Sequence, residues 1–301
     1  MDFELKRLVL EPSTSVAISE QEFNELRAAK TGLIEAVFLE QKFDVLVENH
    51  LEFETCLLEA TARHMLLRNQ DYQWFQVERN LYNRRLLNLL SACRSYLDGS
   101  EHHLNSMMPG ESARAQLETR LAQHYDSKLG YRVMEALRNF SQHRGFPVHA
   151  VEYPARWLGE GDQQRLEFGL SPFTKTEYLS VDGQFKKSVL KELDELGGRV
   201  NLKPLVRDYI SALGDVHELI RSLVKPKLEE WDQLILGAIE KFKSANPEGI
   251  SVRGLAAVAK DKNSNKETVA LFEDFIDYRK TMERKNANFD KLHLRYVTSI
   301  T

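Results

Sequence analysis

The sequence predicts a mainly α fold: a bundle of long helices with a small β-hairpin insertion and additional C-terminal helices. Three observations carry this. Apolar residues recur at three- and four-residue steps through most of positions 20–144, the spacing of helices that bury one face. Helix-initiating patterns stand where those runs begin, and Gly/Pro punctuation stands where they stop. Between positions 148 and 170 the runs shorten and become rich in β-branched and aromatic residues, which suits a hairpin better than a helix.

Ser19 and Glu22 form an S-x-x-E capping box, hydroxyl and carboxylate each satisfying a backbone N–H at the start of a helix. Beyond it Phe23, Leu26, Leu33, Val37, Phe43, Leu46, Phe53 and Leu57 mark two helices, or one broken one, as far as about Leu67. Asn69 or Asp71 can cap a third helix from Tyr72 to about Tyr96, with Trp74, Phe75, Leu86, Leu90 and Cys93 on its buried stripe. After Pro109-Gly110 a fourth runs from about Ser112 to Arg144 and stops before Gly145-Phe146-Pro147. Val148–Trp157 and Arg165–Leu170 flank Gly159-Glu160-Gly161-Asp162 as the arms of a hairpin. Helical periodicity returns at about Gly183–Leu196, from the cap Asn201 to Phe242, and after Asn246-Pro247-Glu248-Gly249. A second S-x-x-E pattern, Ser264 and Glu267, announces a last helix through Met282. The implied organisation is a helical bundle over 1–147, the hairpin and a short helix over 148–200, and a helical region over 201–301 packed on the bundle.

Composition narrows the function classes. The 301 residues are 42% hydrophobic and 29% charged, enough for a sizeable core and unlike collagen-like, mucin-like or disordered chains. No apolar run approaches the roughly 20 residues that cross a bilayer. Met1-Asp2-Phe3-Glu4 lacks the basic start and apolar stretch of a signal peptide, so a cytoplasmic protein is expected. Cys56 and Cys93 sit in helical runs away from any CxxC spacing and read as reduced core thiols. The net charge of −4 excludes a polycation, although residues 1–67 sum to −7 and residues 68–144 to +3, leaving the second stretch locally basic.

Phosphate-loop, dinucleotide-binding and zincin strings are absent, and no Glu has a His three residues later, which excludes a di-iron bundle. Glu101-His102-His103 has metal-ligand residue types, but beside Pro109-Gly110 it reads as a solvent-exposed loop or helix end. No metal and no cofactor is expected.

One string carries chemistry: Leu137-Arg138-Asn139-Phe140-Ser141-Gln142-His143-Arg144-Gly145. At about 100° per residue, Val133, Met134 and Phe140 fall within roughly 60° of Leu137, while Arg138, Asn139, Gln142 and His143 share the opposite arc. Arg138, Asn139 and His143 resemble the signature of the HEPN superfamily, helical-bundle proteins with an Arg, a polar residue directly after it, and a His four positions further on. Arg144 to His149 has a similar spacing, but Gly145 and Pro147 keep that pair off a single helix.

The resemblance implies a metal-independent endoribonuclease with Arg138, Asn139 and His143 as catalytic residues. Histidine, with an ordinary pKa near 6.5, can exchange a proton with the ribose 2′-OH or the leaving 5′-oxygen, while a permanent guanidinium charge stabilises the phosphorane. Products would be a 2′,3′-cyclic phosphate and a 5′-hydroxyl, and DNA would be spared for want of the 2′-OH. It also implies RNA as partner, with Arg132 and Arg144 on its backbone, and a homodimer with facing motifs. A toxin or antiviral role, with a protein inhibitor or other partner, is a further expectation. The competing expectation is a non-catalytic helical protein-interaction or scaffold protein.

Overall fold

The computed structural model describes residues 1–9, 13–67, 71–181, 183–261 and 264–297, with backbone alone at 264–266. In chain order the elements are β1 (Asp2–Arg7), β2 (Val16–Ile18), α1 (Glu20–Leu66), α2 (Tyr72–Met107), α3 (Glu111–Ser127), α4 (Leu129–His143), β3 (Ala150–Glu152), β4 (Ala155–Leu158) and β5 (Arg165–Phe168). They continue with β6 (Ser171–Lys175), α5 (Thr176–Leu179), α6 (Lys187–Glu195), β7 (Arg199–Asn201), α7 (Leu202–Ser244), β8 (Leu255–Asp261), β9 (Ser264–Ala270) and α8 (Glu273–Lys285). The fold is mainly α, with three small antiparallel sheets among the described residues.

The helix starts follow the sequence chemistry. The Ser19 N–H donates to Glu22 Oε2 at 2.7 Å and the Glu22 N–H to Ser19 Oγ at 3.0 Å, the reciprocal pair of a capping box. Asp71 Oδ1 accepts from the Trp74 N–H at 2.8 Å at the head of α2; Asn69, the other candidate cap, lies outside the described residues. Asn201 Oδ1 accepts from the Lys203 N–H at 3.0 Å, and Pro204 follows in the first turn of α7, where a missing N–H costs nothing.

Several boundaries differ from the sequence expectation. α1 is one unbroken helix of 47 residues, because no Gly or Pro interrupts it after Gly32. α2 runs past Tyr96 to Met107, and the expected fourth helix is two, α3 and α4, parted where Lys128 turns extended (φ −115, ψ 113). Helix α6 covers only Lys187–Glu195 of the stretch expected from Gly183. The largest correction concerns residues 255–270. Ser264 and Glu267 do not cap a helix; they belong to β9, whose Glu267 pairs with Arg27 at 3.2 Å, and the last helix is α8, starting only at Glu273. The helical periodicity read after Gly249 is strand β8, whose alanines are buried between two paired neighbours. Alanine's high helix propensity misleads there, because a central strand covered on both faces also wants small apolar side chains.

Two compact units are assembled from interleaved stretches, Met1–Gln41, Gly99–Ala115 and Leu219–Ala287 forming the first and the remainder the second. This cuts across the consecutive stretches 1–147, 148–200 and 201–301, because α1, α2, α3 and α7 each give residues to both units.

In the first unit a sheet of order β2-β1-β8-β9 carries Leu5, Leu255 and Val258 into a core with Phe23 and Leu26. Gly32 faces Trp231 so closely that a Cβ there would lie 2.0 Å from the indole ring. Glu40 takes a bidentate bond from Arg221 (2.9 and 2.6 Å), and Arg279 reaches Asp232 at 2.6 Å. Unpairing either would leave a buried charge uncompensated.

In the second unit Phe43, Leu46, Leu86, Tyr96, Val133, Met134, Leu137 and Ile210 form the core. His217 stacks on Phe43 with ring centroids 3.9 Å apart, and its Nδ1 lies 3.0 Å from the Tyr96 hydroxyl. The hairpin appears, but its first arm is shorter than expected: β4 and β5 pair in antiparallel register, Trp157 opposite Leu166, while Ala150–Glu152 of the expected arm is β3 and pairs with β6. A three-stranded sheet of order β3-β6-β7 adds strands of three to five residues, too short for periodicity to reveal. Cys56 and Cys93 are both free and buried, and burial pushes the Cys56 thiol up to about 11.

The second unit holds α4 against α7 through the backbone. A Cβ at Gly130 would sit 2.6 Å from the Leu205 carbonyl oxygen, a backbone atom that cannot swing away. Overpacking costs about 1–3 kcal/mol against about 1 kcal/mol of helix propensity gained. Gly130→Ala is therefore expected to lose up to about 2 kcal/mol in urea denaturation; a raised midpoint would contradict the close approach.

Candidate functional site

Helix α4 builds the candidate site. Tyr131, Val133, Met134, Ala136 and Leu137 are buried, whereas Asn139, Gln142 and His143 are exposed, as the helical arc requires. The helix ends where the Arg144 N–H donates to the Phe140 carbonyl at 2.8 Å, and the chain turns away through Gly145-Phe146-Pro147. Asn83 secures this turn: its buried amide donates to the Val148 carbonyl at 3.1 Å and accepts from the Val148 N–H at 2.8 Å.

Two clefts meet at the end of α4, each within the usual range of ligand pockets. The first, about 650 Å³, runs between α3 and α4 to the segment before α6 and is lined by Tyr125, Tyr131, Arg132, Glu135, Asn139, Phe140, His143, Arg144, Phe185 and Lys186, among others. The second, about 630 Å³, is lined by Arg79, Asn83, Phe140, His143, Arg144, Phe146, His149 and Tyr178, among others. Phe140, His143 and Arg144 belong to both walls.

Four of the five residues singled out in the sequence therefore line one cleft: Arg132, Asn139, His143 and Arg144. Arg138 lines neither; it is half-buried, its Nη1 donates to Asn139 Oδ1 at 3.1 Å, and its Nε is buried without a hydrogen-bond partner among the described residues. Arg132 reaches the first cleft with its guanidinium already engaged. It grips both Glu192 oxygens at 3.1 and 2.5 Å and donates to the Tyr125 and Asp126 carbonyls at 2.6 and 2.8 Å. Its charge is thus balanced and its geometry fixed. Glu135 accepts from the Tyr209 hydroxyl at 2.6 Å. Lys186 lies 4.4 Å from the centre of the Tyr125 ring, whose own hydroxyl is buried without a partner.

The sequence reading missed Arg79, His149, Tyr178, Tyr125 and Lys186. A signal did exist for one of them. Arg144 and His149 cannot share a helix, and they do not, yet the turn at Gly145–Pro147 folds both into the second cleft.

His149 has a fixed tautomer. Its Nδ1 accepts from the Lys175 backbone N–H at 3.0 Å, so the proton resides on Nε2. The ring stacks on Tyr178 with centroids 4.9 Å apart, and Arg79 Nη1 donates to the His149 carbonyl at 3.3 Å. Burial, with the Arg79 and Lys175 charges nearby, pushes this imidazole down to about 4.

The expected exposure of Glu101-His102-His103 holds for Glu101 and His102 but not for His103. All three lie on α2, and His103 is buried, its Nδ1 2.7 Å from Glu35 Oε2. Glu101 instead pairs with Arg114 at 2.8 Å.

His149 gives a pH prediction. Its folded pKa of about 4 lies below its ordinary value, so the stability it contributes is complete above about pH 6.5 and is lost as pH falls toward 4. Parent protein should lose thermal stability across that window more steeply than His149→Gln, and ¹⁵N-detected titration should show an Nε2–H imidazole that protonates only near pH 4. Titration near 6.5 would contradict the assignment.

No protein-family model matches this chain, no curated protein matches it in sequence, and no solved structure matches it in fold.

Proposed function

We propose that this chain is a metal-independent endoribonuclease whose reacting phosphate lies over His143 and Arg144. The observation that carries the reading is the sharing of these two side chains by two adjoining clefts. A dinucleotide step has the same layout, one phosphate between two nucleosides. Tyr125, Tyr131, Phe140 and Phe185 offer stacking surfaces on one side, and Tyr178 and Phe146 on the other. Lys186 and Arg79 extend the positive charge along the strand path.

In this mechanism His143 exchanges the proton with the 2′-OH or the 5′-oxygen, and Arg144 compensates the charge that grows on the phosphorane. Asn139, held by Arg138, orients the phosphate; Arg138 acts through Asn139 as a positioning residue. His149 presents a neutral Nε2–H, a donor suited to a phosphate oxygen. Arg132 shapes the wall, with its charge committed to Glu192. The HEPN resemblance adds a homodimer with facing copies of α4 and a toxin or antiviral effector role that an inhibitor protein would control.

The second reading, a non-catalytic helical interaction protein, is favoured by one observation: Arg138 does not share a cleft with His143. Single-stranded RNA incubated with the protein in EDTA separates the two. The expected result is 2′,3′-cyclic phosphate and 5′-hydroxyl ends, a loss of about 100-fold or more in rate for His143→Ala, a smaller loss for Arg138→Ala than for Arg144→Ala, and intact DNA. RNA left intact by folded parent protein overturns the nuclease reading.

A further inference from the structure

The first unit contains a second group of chemistry-bearing side chains. Glu35 on α1 and His102 and His103 on α2 bring one oxygen and two nitrogens within 4.8 Å of one another. Two of these donors already touch, His103 Nδ1 and Glu35 Oε2 at 2.7 Å, with side chains only 8% and 20% exposed. The third, His102, is exposed, its ring 5.4 Å from that of His103 and inclined to it by 70°. A carboxylate and imidazole are thus fixed in a largely dry setting, with an exposed imidazole at the rim.

We propose that Glu35, His102 and His103 form a binding site for a divalent transition-metal ion of the zinc type. The donor set decides the ion class. Two imidazoles and one carboxylate suit zinc, cobalt and nickel, whereas calcium and magnesium prefer all-oxygen shells. Tetrahedral ligation with bonds of about 2.1 Å sets donors about 3.4 Å apart. The widest separation therefore has to close by at most about 1.4 Å, which rotation of the exposed His102 supplies, and the 2.7 Å contact between His103 and Glu35 has to open by about 0.7 Å. Glu101 does not compete, being paired with Arg114. Three protein ligands leave one coordination position to water or to an added ligand. Because the ligands come from α1 and α2, the ion ties the two helices together and stabilises the folded state by linkage.

The test uses the full chain, stripped with EDTA, dialysed free of chelator, and titrated with zinc chloride alone or cobalt chloride alone. Expected are one equivalent bound, a rise in melting temperature with zinc, and the visible absorption of four-coordinate cobalt. His102→Ala, whose exposed site leaves the core untouched, and Glu35→Gln should each weaken binding about tenfold or more and remove the cobalt spectrum. His143→Ala, in the other unit, should bind as the parent does. Absence of stoichiometric binding, or binding that neither His102→Ala nor Glu35→Gln weakens, overturns the proposal. RNA cleavage is assayed in EDTA and metal binding without RNA, so failure of either reading leaves the other standing.

Discussion

Residue 130 has no side chain, and the geometry of the candidate site depends on it. The missing Cβ lets the first turn of α4 rest against the Leu205 carbonyl of α7. With that approach made, Lys128 meets Asp208 at 2.8 Å, Glu135 meets the Tyr209 hydroxyl, and Arg132 closes on Glu192. The far end of the helix is fixed by Asn83 through the Val148 backbone. His143 thus ends a rod anchored along its length and Arg144 follows it directly, so both side chains start from a fixed backbone.

Two of the cations around the clefts, Arg132 and Lys186, differ in kind. Arg132 is neutralised by Glu192 and by two carbonyls, so its contribution is mechanical: it joins the start of α4 to α6. Lys186 lies over an aromatic ring, an arrangement that holds an ammonium while leaving N–H groups for an anion. Counting basic residues along positions 68–144 cannot separate these cases, because Lys186 and the neutralising Glu192 both lie outside that stretch.

Much of the helical architecture was legible in the sequence because its causes are local. The Ser19–Glu22 box, the Asp71 and Asn201 caps and the Gly145–Pro147 stop act within a few residues. The polar arc of α4 was legible for the same reason. What was illegible depends on distant partners. Ser264 and Glu267 carry the same letters as the first box, yet strand pairing with β8 decides their state. Gly130 looks like an indifferent helix residue until Leu205 is beside it. His103 looked solvent-exposed because Glu35 stands 68 positions earlier. Gly145 and Pro147 keep His149 off the helix of Arg144, which says nothing about sharing a cavity.

The pairing of β1 with β8 has a consequence for synthesis. Phe3 lies opposite Ala259 and Arg7 opposite Leu255, so the strand translated first has its inner neighbour about 250 positions downstream. At roughly 5–20 residues per second a ribosome needs about 13–50 s to cover that interval. Until then the β8-facing edge of β1 has no partner strand, and an open edge is an invitation to pair with other chains. β1 alternates Asp2, Glu4 and Lys6 with Phe3, Leu5 and Arg7, and charged side chains along an open edge disfavour such pairing.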